Sequence, residues 1–430
     1  MRISTLVARR SRRATIGMLF AALGSFALLA PAPATPALPS SAADVRSEQW
    51  WLDVLGVEKI WQRHTKGEGV VVAVIDTGVH PGGDLKGAVL PGSGADGSGR
   101  GDVGEDTEYH GTTIATEIAG RGSGPGVMGV APGAKILPIK VPMVNQSDYT
   151  VKALQTLTAM DDPPEIVNMS YAGSGSCSDE EQAAVRAAVD KGMILVAGMG
   201  NDHTSSDNPR TPASCAGVIA VGAYGYFGNT AEGPDLRIWD GAGEGSERQP
   251  YTGLAAPGMD MIAFPPGSNQ PVFFDGTSDA TAVASGSIAL VRATFPDMPS
   301  RELVARVLYT AEQRMTAQGS RNEAWGFGAI RPRHAIEDTV PADAPNEIYD
   351  ELDKVAPPDG ADQGETTVPD EETAPPQGGE QSDDAGSASS DDSDGSMTGL
   401  LVGGGVLAVL LVLGILVLAR RRTGSKGPLS

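Results

Sequence analysis

The segment GVVVAVIDTGV, residues 69–79, decides the fold class of this 430-residue chain. Its first seven residues form a continuous apolar, mostly β-branched run, and Asp76, Thr77 and Gly78 then turn the chain. A strand with one exposed face alternates between apolar and polar residues, whereas a continuous apolar run is typical of a strand buried on both faces of a parallel sheet. We therefore expect a buried strand over Gly69–Ile75, with Asp76 at its carboxyl end.

Runs of the same kind recur along the chain, at Lys135–Val141, Ile166–Met169, Met193–Ala197 and Val218–Val221. Segments with helical character separate them, and the clearest are Gly111–Gly120, Val151–Asp161 and Ser178–Lys191. Ser178 is a typical N-cap, with Glu180 and Glu181 in the turn that follows it. The alternation of buried strands with helices predicts a three-layer α/β fold with a mainly parallel sheet.

The amino-terminal residues resemble a secretory signal peptide. A basic start precedes the uncharged segment Ile16–Ala30, and small residues follow it. This pattern predicts a signal peptide over residues 1–37, with cleavage between residues 34 and 43. An uncleaved first membrane anchor is the alternative, but the apolar run is short for a span.

A second apolar segment lies near the other end of the chain. Gly399–Ala419 contains 21 residues without a charge, and three consecutive arginines follow it. About 20 apolar residues cross the hydrocarbon core, and a basic cluster favours the cytoplasmic side. We expect a single-pass protein of the cell membrane, with a transmembrane helix over 399–419, a cytoplasmic tail over 420–430 and an extracytoplasmic domain before them.

The acidity of the chain is concentrated in one segment. The formal net charge is −22, and the segment from Asp343 to Asp394 contains 17 acidic residues and one basic residue. Residues 341–398 are also rich in Pro, Gly and Ser, so they cannot bury enough apolar surface to offset their conformational entropy. We expect a disordered stalk there, with an acidic docking tail as the alternative, and a folded domain over 44–340. No nucleic-acid partner is expected, because phosphate binding needs a basic face.

Three polar residues lie where predicted strands lead into helices, which is where functional groups gather in parallel sheets. Asp76 follows the first strand, His110 begins the segment HGTTIAT, and Ser278 lies in a Gly-Thr-Ser turn before a helix of small residues. Each residue alone is also explained as a turn, capping or packing residue. Their order along the chain, Asp then His then Ser, is one in which the serine-protease triad occurs.

On these residues the chain resembles the subtilisin-like (S8) serine peptidases, over Asp44–Asp338. AVIDTGV, HGT and GTSDATA resemble the aspartate, histidine and serine motifs of that family, and IVNMSYAG, ILVAGMGN, VIAVGA and LAAPG occur between them in family order. The resemblance implies hydrolysis of peptide bonds through an acyl-enzyme. Ser278 is then the nucleophile, His110 the general base and Asp76 the carboxylate that orients the imidazole.

The resemblance also implies how the substrate, a protein or peptide, is held. Asn201 matches the family's oxyanion donor, although a Gly-Asn pair also occurs where the chain makes a left-handed turn. An extended peptide is expected to pair with exposed backbone between two walls of a specificity pocket. The residues of these walls are Ser170, Tyr171, Ala172 and Gly173 on one side, with Gly198 and Gly200 on the other.

Two residues near Ser278 depart from the family pattern. Ala282 replaces a proline that relatives usually carry, and Asp279 replaces an apolar residue that many relatives carry directly after the serine. The carboxylate of Asp279 is expected to raise the pKa of His110 if it points inward. These departures leave open a second hypothesis, in which the chain is a structural component of a membrane secretion complex with weak or dispensable protease activity.

The overall layout is similar to that of the mycosins, membrane-anchored proteases associated with type VII secretion in actinobacteria. The similarity rests on the signal peptide, a Trp-containing lead, the peptidase domain, the stalk and the C-terminal anchor. It implies a type VII secretion membrane complex as a partner.

The chain contains two cysteines, Cys177 and Cys215. An extracytoplasmic location permits a disulfide between them, and two unpaired buried thiols are the alternative. No cofactor and no metal site are predicted, because the other histidines are scattered along the sequence. Gly92–Gly104 has the composition of a calcium loop but lacks its terminal glutamate and its spacing, which favours a surface loop.

Overall fold

The structure, a computed structural model, describes residues 42–102, 109–123, 126–142, 146–203, 208–231, 233–241, 243–264, 270–312 and 321–358. The predicted signal peptide, the predicted span 399–419 and most of the predicted stalk lie outside these residues. Within the described ranges, none of the helices combines the length and the hydropathy of a membrane span.

The helices of the described ranges are α1 (Ala42–Glu48), α2 (Trp50–Leu55), α3 (Val57–Arg63), α4 (His110–Ala119), α5 (Gln146–Thr158), α6 (Asp179–Asp190), α7 (Thr277–Thr294), α8 (Ser300–Tyr309), α9 (Pro332–Glu337) and α10 (Glu347–Val355). The strands are β1 (Val71–Asp76), β2 (Ser93–Gly94), β3 (Lys135–Lys140), β4 (Ile166–Met169), β5 (Gly173–Ser174), β6 (Ile194–Gly198), β7 (Arg210–Thr211), β8 (Val218–Thr230), β9 (Gly233–Ile238), β10 (Thr252–Pro257), β11 (Met261–Ala263) and β12 (Val272–Phe274).

The central sheet has the strand order β10-β8-β6-β4-β1-β3-β2, and β9 pairs with β8 beside this path. Every neighbouring pair along the path is parallel, whereas β9 is antiparallel to β8. The five predicted strands correspond to β1, β3, β4, β6 and the first part of β8. The prediction of a mainly parallel sheet is therefore confirmed.

Successive residues of the central strands face opposite sides of the sheet. In β1, Val72 and Val74 belong to one hydrophobic core, while Ala73 and Ile75 belong to another. The first core includes residues of α4 and α7, and the second includes residues of α5 and α6. Because both faces are covered by helices, the strands are continuously apolar, and the three-layer α/β architecture is confirmed.

The folded part of the chain continues beyond residue 340, where the stalk was predicted to begin. Helix α10 buries Ile348, Tyr349 and Leu352. The Asn346 side chain begins this helix by accepting a hydrogen bond from Tyr349 N at 3.1 Å, and it donates to the Arg301 carbonyl at 2.8 Å. The predicted boundary is corrected accordingly, since the folded domain includes residues 341–358. The acidic composition of this segment predicted a stalk, although the segment contains a short amphipathic helix.

Candidate active site

Neighbouring strands bring the predicted site segments to one edge of the sheet. Strand β1 ends at Asp76, β4 ends directly before Ser170, and β6 ends at Gly198, shortly before Asn201. Strand β4 lies between β1 and β6. Because these strands are parallel, their carboxyl ends lie at the same edge, which is where α/β sheets place functional groups.

Asp76 and His110 are in direct contact. His110 Nδ1 lies 2.8 Å from Asp76 Oδ1 and 2.9 Å from Oδ2. Asp76 is 1 % exposed, and its Oδ1 also accepts hydrogen bonds from Thr77 N at 2.8 Å and Thr77 Oγ1 at 3.3 Å. These donors offset the cost of burying a carboxylate. With Nδ1 facing the carboxylate, Nε2 is the ring nitrogen that can accept a proton from a nucleophile.

Gly111 allows helix α4 to approach β1 closely enough for this contact. A Cβ atom at Gly111 would lie 2.2 Å from the Gly78 carbonyl oxygen and 3.0 Å from Asp76 Cβ, so no side chain fits there. The Gly111 N–H donates to Thr77 Oγ1 at 3.0 Å. The His-Gly pair of one motif and the Asp-Thr-Gly of the other are thus sterically complementary.

Ser278 lies in the first turn of helix α7. Its Oγ donates to the Ser170 carbonyl at 2.9 Å, and Ser170 Oγ donates to the Ser278 carbonyl at 2.8 Å. Asn168, in β4, supports this pair, because its Nδ2 donates to Ser170 Oγ at 3.0 Å and its Oδ1 accepts from Ser285 Oγ at 3.0 Å. The turn that carries Ser278 is therefore fixed to the end of β4.

The side-chain amide of Asn201 has a defined orientation. Its Oδ1 accepts hydrogen bonds from Thr277 N at 3.0 Å and from Thr277 Oγ1 at 2.9 Å, which leaves Nδ2 as a donor. A Cβ atom added to Gly276 would lie 3.6 Å from Asn201 Nδ2 and 3.6 Å from Ser278 N. Gly200, with φ 102°, has the left-handed backbone, and Asn201 does not. The two expected oxyanion donors thus lie beside the same turn.

Arg210, which the sequence analysis did not single out, links the Asn201 loop to one predicted substrate wall. Its Nε donates to Glu247 Oε1 at 2.7 Å, its Nη1 donates to Ser174 Oγ at 2.9 Å, and its Nη2 pairs with Asp202. Glu247 N in turn donates to the Gly200 carbonyl at 3.1 Å. No sequence signal marks this network, because its members are distant in the chain and are joined only by the fold.

The predicted substrate-wall residues follow β4 and end β6, on adjacent strands. Tyr171 contributes only its backbone there, because its side chain is buried and its hydroxyl lies 2.8 Å from Thr150 Oγ1. Ala172 and Gly173 are partly exposed, whereas Gly198 and Gly200 are buried. A substrate role for these residues remains a prediction.

Cys177 and Cys215 form a disulfide with a Cα–Cα distance of 4.9 Å, which confirms the predicted bond. Within the described ranges, the cluster of metal-binding residue types consists of these two cysteines and Glu181. Since both sulfur atoms are bonded to each other, they are not available as thiolate ligands.

Asp279 points inward, and only 5 % of it is exposed. This is the orientation in which its carboxylate was expected to act on His110. Burial raises the pKa of the Asp279 carboxyl, and the charge on His110 opposes this by lowering it. By reciprocity the carboxylate favours protonated His110. Ala282 is buried in the same helix.

Comparisons with known proteins identify the family of the chain. The chain matches the family Peptidase_S8, described as the subtilase family, over residues 67–328. It is 30 % identical over 341 residues to fervidolysin of Fervidobacterium pennivorans, which covers 71 % of this chain and 46 % of the relative. The chain thus spans about half the length of that relative.

Two solved structures of mycosins are similar to it in fold. The MycP3 protease from the type VII (ESX-3) secretion system matches with a TM-score of 0.54 and 26 % identity, over 67 % of this chain and 88 % of that chain. The serine protease MycP1, described as an essential component of the type VII (ESX-1) secretion system, matches with the same values. The chain belongs to the subtilase family.

Proposed function

We propose that this subtilase is a membrane-anchored, extracytoplasmic serine endopeptidase that hydrolyses peptide bonds through an acyl-enzyme on Ser278. The observation that carries the proposal is that both carboxylate oxygens of the buried Asp76 lie close to His110 Nδ1, at 2.8 and 2.9 Å. An isolated turn aspartate or capping histidine does not require such a contact, whereas a general base held in one tautomer does.

In the proposed reaction, the Ser278 hydroxyl turns from the Ser170 carbonyl toward His110 Nε2 and attacks the substrate carbonyl. The imidazole takes the hydroxyl proton, and Asp76 stabilises the imidazolium that results. Asn201 Nδ2 and the Ser278 N–H donate to the oxyanion of the tetrahedral intermediate. The same imidazole then gives its proton to the leaving amine, and water hydrolyses the acyl-enzyme by the reverse sequence of proton transfers.

The extended substrate is proposed to pair with backbone of Ser170–Gly173 and of the Gly198–Gly200 segment. Ser174 and Arg210 lie in the two paired strands β5 and β7, so the first of these walls is backed by a hydrogen-bonded ribbon. A strand added to exposed backbone gains main-chain hydrogen bonds that do not depend on the substrate sequence.

The test is covalent labelling of the full chain with a fluorophosphonate probe that reacts with activated serines. We expect the wild-type chain to be labelled and Ser278→Ala and His110→Ala to lose labelling. The double variant should be scarcely worse than either single variant, because the triad acts as a unit. Labelling that persists in Ser278→Ala would contradict the assignment of the nucleophile.

The similarity to MycP1, an essential component of a type VII secretion system, favours a second candidate function, that of a structural component of a membrane secretion complex. The two functions are separated by expressing Ser278→Ala in cells of origin that lack the wild-type chain. Secretion restored to the wild-type level by this inactive variant would support a structural role. Loss of secretion with an intact membrane complex would show that proteolysis is required.

A further inference from the structure

Two acidic side chains are buried between the helix that begins with His110 and the helix that carries Ser278. Glu117 of α4 is 0 % exposed, and Asp279 of α7 is 5 % exposed. The two carboxyl groups are close enough to act on each other, because the neighbouring Asp279 raises the pKa of Glu117 through its charge and a hydrogen bond, and Glu117 in turn lowers the pKa of Asp279. Neither oxygen of Glu117 has a hydrogen-bond donor among the described residues.

Two carboxylates cannot hydrogen-bond to each other, because both are acceptors only. Their contact becomes favourable when one group is protonated and donates to the other. Two adjacent buried charges of the same sign would moreover repel each other in a medium that screens them weakly. The arrangement therefore requires one proton between the two groups.

We propose that Glu117 and Asp279 share one proton as a carboxylic acid–carboxylate pair, and that they act as positioning residues which join the helix of His110 to the helix of Ser278 and keep one negative charge near the imidazole. The proposal deepens the proposed function and rests on it for the roles of His110 and Ser278.

The helix ends indicate which group holds the proton. Asp279 lies in the first turn of α7, where the partial positive charge of the helix N-terminus stabilises a carboxylate. Glu117 lies in the last turn of α4, where the partial negative charge of the C-terminus disfavours one. The proton is therefore assigned to Glu117 and the charge to Asp279. In agreement, burial and the neighbouring Asp279 raise the pKa of Glu117 well above its ordinary value.

The Asp279 carboxyl group also lies close to Gly276, directly before the helix. A Cβ atom at Gly276 would lie 2.8 Å from Asp279 Oδ2, so the carboxyl group would have to shift to accommodate a side chain there. The carboxyl group thus folds back over the turn that carries the two expected oxyanion donors, Ser278 N and Asn201 Nδ2. A change in the charge or position of Asp279 is consequently transmitted to this turn.

Few other ionisable groups face the pair. The charge on His110, from α4, lowers the pKa of Asp279, and Asp275, from the loop before α7, raises it. Asp76 of β1 contacts His110 Nδ1 at 2.8 Å. Asp84, in the turn that packs on α4, accepts from Ser123 N and Val127 N. Strands β4, β6, β10 and β11 carry no ionisable side chain. Strand β8 contributes two tyrosines, and β3 has a lysine at each end. The charged or titratable residues of the neighbouring helices α8 and α9 and of the end of α7 are Arg292, Arg301, Glu302, Arg306, Arg333, His334 and Glu337.

The first experiment detects the shared proton directly. Infrared spectra of the full chain in a Ser278→Ala background are recorded at neutral pH, where exposed carboxyl groups are ionised. We expect a carbonyl band of a protonated carboxylic acid, which is lost in Glu117→Gln and shifted in frequency in Asp279→Asn, because the Glu117 acid then donates to an amide oxygen instead of a carboxylate. Glu302→Gln, an exposed glutamate of α8, is the control and should keep the band. A spectrum without the band, or a band that survives in both variants, overturns the proposal.

The second experiment follows the charge through the pH dependence of fluorophosphonate labelling. Glu117→Gln keeps the charge on Asp279, so its acidic limb should match that of the wild type. In the double variant Glu117→Gln/Asp279→Asn the charge is gone, and the acidic limb should move to lower pH by about one unit, because protonated His110 loses a stabilising anion. An unmoved limb in the double variant overturns the role of the charge, since altered packing alone changes the rate and not the limb.

The two experiments separate this inference from the proposed function. A wild-type chain that is not labelled at any pH contradicts the protease assignment, and the infrared band still tests the acid pair. With such a chain, the His110 titration is followed by nuclear magnetic resonance instead of labelling. A His110 pKa that is the same in the wild type and the double variant would then overturn the electrostatic part of the inference.

Discussion

Asp76, at the end of β1, and Glu117, in α4, both have buried carboxyl groups, and they differ in what surrounds these groups. Asp76 receives two hydrogen bonds from Thr77 and faces the His110 ring. Glu117 meets no donor among the described residues and contacts the carboxyl group of Asp279. Burial to the same degree thus favours a carboxylate where donors are supplied and a protonated acid where they are not. Donors, rather than depth, decide which buried acid orients a base and which one holds a proton.

The largest expected effect that sharpens this comparison is that of Asp76→Asn. An asparagine of the same shape presents its amide to His110 Nδ1 and favours the wrong tautomer, which we expect to lower turnover about 10⁴-fold. Glu117→Gln, an equally conservative change, replaces an acid that is already neutral and should leave turnover at neutral pH within about threefold, as a volume-preserving change at a satisfied position. Steady-state hydrolysis of an unstructured protein substrate measures both. Similar losses in the two variants would remove the distinction.

Much of the Asp76 side of the comparison can be predicted from the sequence. The strands were recognisable because both of their faces are buried, and the N-cap of α6 was recognisable because Ser178 bonds locally to Glu181, at 3.2 and 3.1 Å. The three motifs also place Asp76, His110 and Ser278 at strand-to-helix turns. Local periodicity and turn chemistry carry such information without reference to the rest of the chain.

The Glu117 side could not be predicted in the same way. Glu117 appears in the sequence as a polar residue in an apolar helix, a pattern that ordinarily indicates an exposed position. Its spacing of seven residues from His110 places both on one face of α4, but only the packing of α7 against that face buries it. Arg210 and Glu247 were missed for the same reason, since their contact joins distant segments. Helix α10 was missed because the prediction relied on the acidic composition of the segment and not on the helical spacing of its three apolar residues, Ile348, Tyr349 and Leu352.

A smaller effect is expected from removing one of the donors of Asp76. Thr77 Oγ1 donates to Asp76 and accepts from the Gly111 N–H, so Thr77→Val leaves that buried N–H without this acceptor. We expect the free energy of unfolding to fall by about 1–3 kcal/mol, the cost of an unsatisfied buried polar group. Chemical denaturation in a Ser278→Ala background, which prevents self-digestion, measures the change.

The matched control is Thr281→Val, at a threonine that is equally buried in α7. Its Oγ1 donates to the Thr277 carbonyl one turn earlier, and the backbone of a helix interior does not depend on such a bond. A small change at this position is expected. An equal loss at Thr281 would indicate that the hydroxyl of Thr77 matters through packing and not through its hydrogen bonds.

The smallest expected effect is the change, per pH unit, in the stability difference between Glu117→Gln and the wild type, and it breaks or supports the other side of the comparison. The ordinary pKa of Glu117 is 4.5, and burial beside Asp279 raises it in the folded chain. Between these two values the folded chain holds a proton that the unfolded chain has released. Folding of the wild type is therefore weakened as the pH rises through this window, by at most about 1.4 kcal/mol for each pH unit. A glutamine has no proton to retain and removes this slope.

We therefore expect the free energy of unfolding of Glu117→Gln, relative to that of the wild type, to increase with pH from about 4.5. Denaturation of both chains in the Ser278→Ala background at a series of pH values measures the difference, and Glu302→Gln, at an exposed position, controls for the loss of one acidic group. A constant difference across the series would mean that Glu117 releases its proton as readily in the folded chain as in the unfolded one. The contrast with Asp76 would then lie in geometry alone, because both buried carboxyl groups would carry a charge in the folded protein.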